Sequence, residues 1–189
     1  MRIHPQTLVL GVLVVLGLSG PTASAEDLAP NPEYERWAAF RPGAWVRIES
    51  ESTVEGTKSI SRTTTKLLEV ASDRLVLESA VTTIAGGKEL TAPVHKREVP
   101  AKTPKDDLPK QDPANTKEGQ EEIEVVPGRK VMCRFVEVTR IVDGKKSVTK
   151  TWTSKEVPGG LVKMESSAEG TPATTARSLA IDWKVPAET

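Results

Sequence analysis

Two histidines, one cysteine and three acidic doublets are the residue types in this chain suited to acid–base, metal or nucleophilic chemistry. His4 lies just ahead of an N-terminal apolar run and is expected to be removed with it, so His95 is the one imidazole expected in the mature protein. It stands in Pro93-Val94-His95-Lys96-Arg97, a basic stretch that reads as solvent-facing. The chain contains no Gly-x-Ser-x-Gly elbow, Cys-x-x-Cys pair, His-Glu-x-x-His, Walker loop or dinucleotide glycine fingerprint. Zinc and thiol chemistry lack ligands, and no metal or cofactor is expected. Glycosidases can work with two carboxylates alone. Here the acids come as Glu49/Glu51, Asp106/Asp107 and Glu121/Glu122 within charge-mixed segments, which read as solvated faces and a loop. Asp106-Asp107 lacks the spacing of a calcium loop.

Cys133 sits inside the alternating run Val131-Met132-Cys133-Arg134-Phe135-Val136, the setting of a buried and inert thiol. With one cysteine no intramolecular disulfide can form. The four tryptophans are the other distinctive side chains: Trp37 on an expected helix, and Trp45, Trp152 and Trp183 in expected strands. Because aromatics make up only 4% of the chain, these rings are first of all core anchors. The sharper alternative is a cleft for an apolar ligand, with Trp152, Leu161, Met164, Phe135 and Trp45 as its candidate lining. Val157-Pro158-Gly159-Gly160 marks a tight turn beside them, with a ligand-gating loop as the alternative reading.

The elements that must position these residues follow from periodicity. Asn31-Pro32-Glu33 has the chemistry of a helix start, and Tyr34, Trp37 and Phe40 then share one side until Arg41-Pro42-Gly43 ends it. From Trp45 the pattern becomes extended. Val46 and Ile48 alternate with Arg47 and Glu49, and further strands are expected near 58–71, 74–84, 88–99, 121–126, 129–142, 145–156, 161–168 and 177–185. Glu55-Gly56, Gly86-Gly87, Pro127-Gly128 and Asp143-Gly144 join them by short connections, so neighbours should be antiparallel. The stretch 100–119, with four prolines among polar residues, reads as a disordered loop. The fold class is therefore mainly β: a strongly curved antiparallel sheet of about nine strands, half-barrel or barrel, with one short N-terminal helix. Many inner positions are Thr, Ser or Ala, which favours a thin core within a curved sheet.

Residues 1–25 read as a secretory signal peptide: Arg2, an apolar run from Leu8 to Leu18, and Ala23-Ser24-Ala25 before Glu26. Residues 26–189 would then form a single exported domain, periplasmic or extracellular, with no transmembrane segment after cleavage. The chain carries 26 Lys plus Arg and 26 Asp plus Glu, with no basic tract that would point to nucleic acid or to anionic head groups.

Gly43-Ala44-Trp45 after the short helix resembles the Gly-x-Trp entry of lipocalin-type barrels. The wider layout, with Gly119-Gln120-Glu121-Glu122-Ile123-Glu124-Val125 running to Cys133 and then Trp152-Thr153-Ser154-Lys155-Glu156-Val157-Pro158-Gly159-Gly160, is similar to the LolA/LolB-like exported envelope proteins. That resemblance implies an open barrel holding acyl chains. Three functional readings follow. The first is an exported non-enzymatic protein binding a lipid-like or other hydrophobic small molecule. The second is an interaction protein that docks another envelope protein through a sheet edge or loops. The third, and weakest, is a carboxylate-dependent hydrolase.

Overall fold

The computed structural model describes residues 27–54, 56–85, 87–108, 113–142, 144–169 and 174–187. The expected signal segment lies outside the described residues. The chain opens with β1 (Leu28–Pro30) and α1 (Pro32–Ala38), followed by β2 (Trp45–Val54), β3 (Thr57–Val70), β4 (Arg74–Ala85), β5 (Lys88–Thr91) and β6 (His95–Pro100). After β7 (Lys102–Pro104) come β8 (Thr116–Val126), β9 (Arg129–Val142), β10 (Lys145–Thr153), β11 (Leu161–Ala168) and β12 (Thr174–Lys184). Ten of these strands form one antiparallel sheet in the order β5-β4-β3-β2-β12-β11-β10-β9-β8, with β6 also on β4, so the fold is mainly β as expected. The sheet is open, a curved half-barrel.

Two expectations need adjusting in detail. The single strand expected over 88–99 is two, β5 and β6, which pair with successive parts of β4. Pro93 between them lacks the N–H that a continuous ladder would use. Within the stretch expected to be a disordered loop, 102–104 pair with 28–30, and 116–119 begin β8. Residues 109–112 of that stretch lie outside the described residues.

Helix α1 is short but well anchored. Asn31 caps it, its side chain accepting from Glu33 N at 3.0 Å, and Pro32 occupies the first turn, where its missing N–H costs nothing. Tyr34 Oη donates to the Ala71 carbonyl at 2.7 Å, Glu33 accepts from Arg97 on β6, and Trp37 is buried. Seven residues are too few for a stable isolated helix, so docking must hold it.

One end of the sheet carries the core. Four register shifts, at Leu67/Glu69, Glu124/Val126, Trp152/Thr153 and Ala180/Asp182, fall at that same end. Each bulge bends its strand and increases local twist. There Leu67, Leu75, Leu77 and Val99 from β3, β4 and β6 join Ile123, Val131, Cys133 and Trp152 from β8–β10, with Trp37 of the helix and Val157 of the β10–β11 connection in the same cluster. Toward the other end, hydroxyl pairs take the place of apolar ones: Ser50–Ser178 at 2.8 Å, Ser52–Ser59 at 2.8 Å and Thr149–Ser166 at 3.1 Å. Such cross-strand pairs satisfy polar groups at half-buried positions without building a thick core.

Candidate functional site

The β10–β11 connection is built to receive the helix. Gly160 N donates to Val157 O at 2.8 Å, and Ser154 N donates to Gly160 O at 2.9 Å. Gly159 and Gly160 have φ of 76° and 79°, a left-handed conformation that glycine enters without penalty. A Cβ on Gly159 would lie 2.8 Å from the Trp37 ring, so the bare backbone is also what lets the helix approach. Val157 and Pro158 are buried beneath it.

Between this connection, α1 and the start of β9 runs a groove of about 770 Å³. Phe40 and Met132 give it an apolar surface above the buried Val157, and Arg36, Arg134 and Lys155 are among the charged residues lining it. Met132 is 56% exposed, which places a large apolar side chain in reach of a ligand. Cys133 lies under the groove at 1% exposure, its Sγ–H donating to Val131 O at 3.4 Å. Burial pushes its thiol up to about 11, with the charges of Glu156 and Glu121 adding to the shift. It is protonated at neutral pH and is a poor nucleophile.

The five residues singled out in sequence divide among four places. Trp152 is 3% exposed, and Phe135 stands opposite it in register. Lys150 Nζ lies 4.1 Å from the Phe135 ring centroid and 4.5 Å from that of Trp152, while Lys163 Nζ lies 4.6 Å from the latter. The Trp152 Nε1–H donates to Glu121 Oε2 at 2.8 Å. That hydrogen bond, then the one from Lys150, holds the Glu121 carboxyl below its usual range. Met164 pairs with Thr151 and Ser178, one residue out of step with the Trp152–Lys163 pair, so it belongs to the opposite face. Leu161 is half-buried where β11 leaves Gly160. Trp45 is half-buried and lines a separate groove with Arg47, Lys66 and Lys184.

Two of the three acidic doublets, Glu49/Glu51 and Glu121/Glu122, are engaged in ion pairs across the sheet, while Asp106 and Asp107 lie in a 3-10 turn. Glu49 pairs with Arg62 at 2.9 Å, Glu51 with Lys58 at 2.8 Å, and Glu122 with Lys130 at 2.9 Å. His95 is exposed at the start of β6. Among the described residues no three His, Cys, Asp or Glu side chains converge as a metal site would require, and no helix is long and apolar enough to cross a membrane.

No family model matches the chain, and no curated protein matches it. A solved structure does. It is a domain from Vibrio parahaemolyticus provisionally described as an outer membrane lipoprotein-sorting protein, aligned over 82% of this chain and 90% of that one, with 12% identity and a TM-score of 0.28. So slight a likeness transfers no ligand, role or location to this chain.

Sequence reasoning had placed Phe40 on the helix's aromatic side but did not bring it to Met132. The two are 92 positions apart, and only the docking of α1 against the sheet puts them along one groove.

Proposed function

We propose that this is an exported, non-enzymatic binding protein that takes an apolar, lipid-like ligand in the groove between α1 and β9. The observation that carries this reading is the groove itself, whose volume of about 770 Å³ falls within the range of small-molecule sites. Phe40 and Met132 offer apolar walls, and Arg36, Arg134 and Lys155 offer cations for a polar end group. Cys133, the thiol at this place, is buried and protonated, so it serves as wall material. Export rests on Ala23-Ser24-Ala25 following the apolar run.

A dansyl-labelled fatty acid titrated into the folded protein tests the proposal. Saturable binding, displaced by lipid extracted from envelope membranes and weakened about tenfold or more by Met132→Glu, is the expected result. Met132 is exposed enough for that substitution to leave folding intact. A folded protein with no saturable binding would overturn the proposal and favour docking of another envelope protein through a sheet edge or loops.

A further inference from the structure

The second groove, around Trp45, gathers cations that lie far apart in the sequence. Trp45 on β2 stands directly opposite Lys66 on β3 and Lys184 on β12, and paired residues share a sheet face. Arg47, two residues along β2 and hence on the same face, holds its guanidinium 5.6 Å from the Trp45 ring centroid, and its Nε donates to Thr64 Oγ1 at 3.2 Å. All three cations line a groove of about 440 Å³.

Two acids lie close by. Glu78, which also lines the groove, stands opposite Lys66 but pairs with Lys96 on its other side at 3.7 Å, and Asp182 stands opposite Arg47 without an ion pair to it. Among the described residues, Arg47, Lys66 and Lys184 form no ion pair, whereas Lys58, Arg62 and Lys130 on the same sheet each hold a carboxylate within 3 Å. In a chain whose formal net charge is zero, a cluster of unpaired like charges is a local electrostatic cost that a bound anion would offset. The ring at its centre is also set apart. Trp37, Trp152 and Trp183 are 4%, 3% and 7% exposed, but Trp45 is only half-buried and leaves apolar surface in the groove.

We infer that this groove is an anion site for an amphiphile, in which Lys66, Lys184 and Arg47 hold a phosphate or carboxylate while an apolar stem lies along the Trp45 ring. Cations beside an aromatic ring supply both halves of such recognition, charge for the head and a flat apolar face for the stem. The source is either a single amphiphile in solution or an anionic head group in a bilayer. The site shares no lining residue with the groove beside α1.

Its test follows the indole N–H resonance of Trp45, assigned by Trp45→Phe, during titration with decyl phosphate below its micelle-forming concentration. The expected result is a saturable shift that weakens with rising salt as screening shortens the reach of the cations. Lys66→Gln with Lys184→Gln should weaken it about tenfold or more with an unchanged thermal midpoint, since both side chains are exposed. Met132→Glu should leave it unchanged, which separates this site from the groove beside α1. Pelleting with phosphatidylglycerol vesicles but not phosphatidylcholine vesicles, lost in the double variant, would assign the bilayer as the source. Decyl phosphate binding without pelleting would assign the free amphiphile. Equal affinity for decyl maltoside, or undiminished binding of decyl phosphate by the double variant, would overturn the inference.

Discussion

Trp152 and Glu121 are joined across an intervening strand: the indole N–H on β10 reaches over β9 to a carboxylate oxygen on β8 at 2.8 Å. The same Oε2 accepts from Lys150 Nζ at 2.9 Å, so one acid satisfies a largely buried tryptophan and a cation lying over its ring. This ties the last three strands of the sheet together independently of their backbone ladder.

That carboxylate should make stability fall in acid. Glu121 has a folded-state pKa lowered first by the Trp152 hydrogen bond and then by Lys150, so its contribution is present above the unfolded glutamate value, about 4.3. It is lost as pH falls through the lower folded value. Urea midpoints should therefore drop more for wild type than for Glu121→Gln between about pH 5 and pH 2, because the amide keeps an acceptor but does not titrate. Solvent exposure of the carboxylate keeps the effect small. Parallel curves for the two proteins would contradict this assignment.

Trp152→Ala should cost about 3–5 kcal/mol, the range for deleting a buried aromatic side chain. Trp45→Ala should cost about 1 kcal/mol, because that ring already meets solvent. Chemical denaturation of the two variants checks the ranking. Equal losses would mean that Trp45 belongs to the core after all.

Gly159→Ala should destabilise by about 2–4 kcal/mol, combining the left-handed backbone with a Cβ pressed into Trp37. Gly128→Ala is the control: φ is 81°, but nothing stands within 4 Å of the added methyl, so only the backbone cost of about 1–2 kcal/mol applies. Thermal midpoints of the pair isolate the close approach of helix and connection.

Cys133 should resist alkylation in the native state. Its thiol is buried and its pKa is pushed up to about 11, so the reactive thiolate is scarce at pH 8. Iodoacetamide labelling followed by mass spectrometry should show modification only under unfolding conditions. Prompt native labelling would show that the floor of the groove opens.

Strand after strand was legible in the sequence because alternation is a local property: Val46 and Ile48 against Arg47 and Glu49 already describe a half-buried strand, and Asn31-Pro32 already describes a helix start. The turn at Gly159-Gly160 was legible for the same reason. What could not be read there is which strands meet. β2 pairs with β12 across more than a hundred residues, and that pairing alone sets Lys184 beside Trp45. The absence of a basic tract in sequence therefore did not exclude a basic groove, since a sheet assembles its charge from register rather than from neighbours along the chain. Nor could alternation assign the tryptophans. Trp152 and Trp45 occupy similar charge-flanked strand positions, yet one is roofed by Lys150 and Lys163 and tied to Glu121 while the other stays open. Local sequence decided which segments extend and where they turn, because backbone preference and side-chain alternation act over a few residues. Tertiary structure alone decided burial, grooves and charge clusters, because these depend on residues brought together from distant strands.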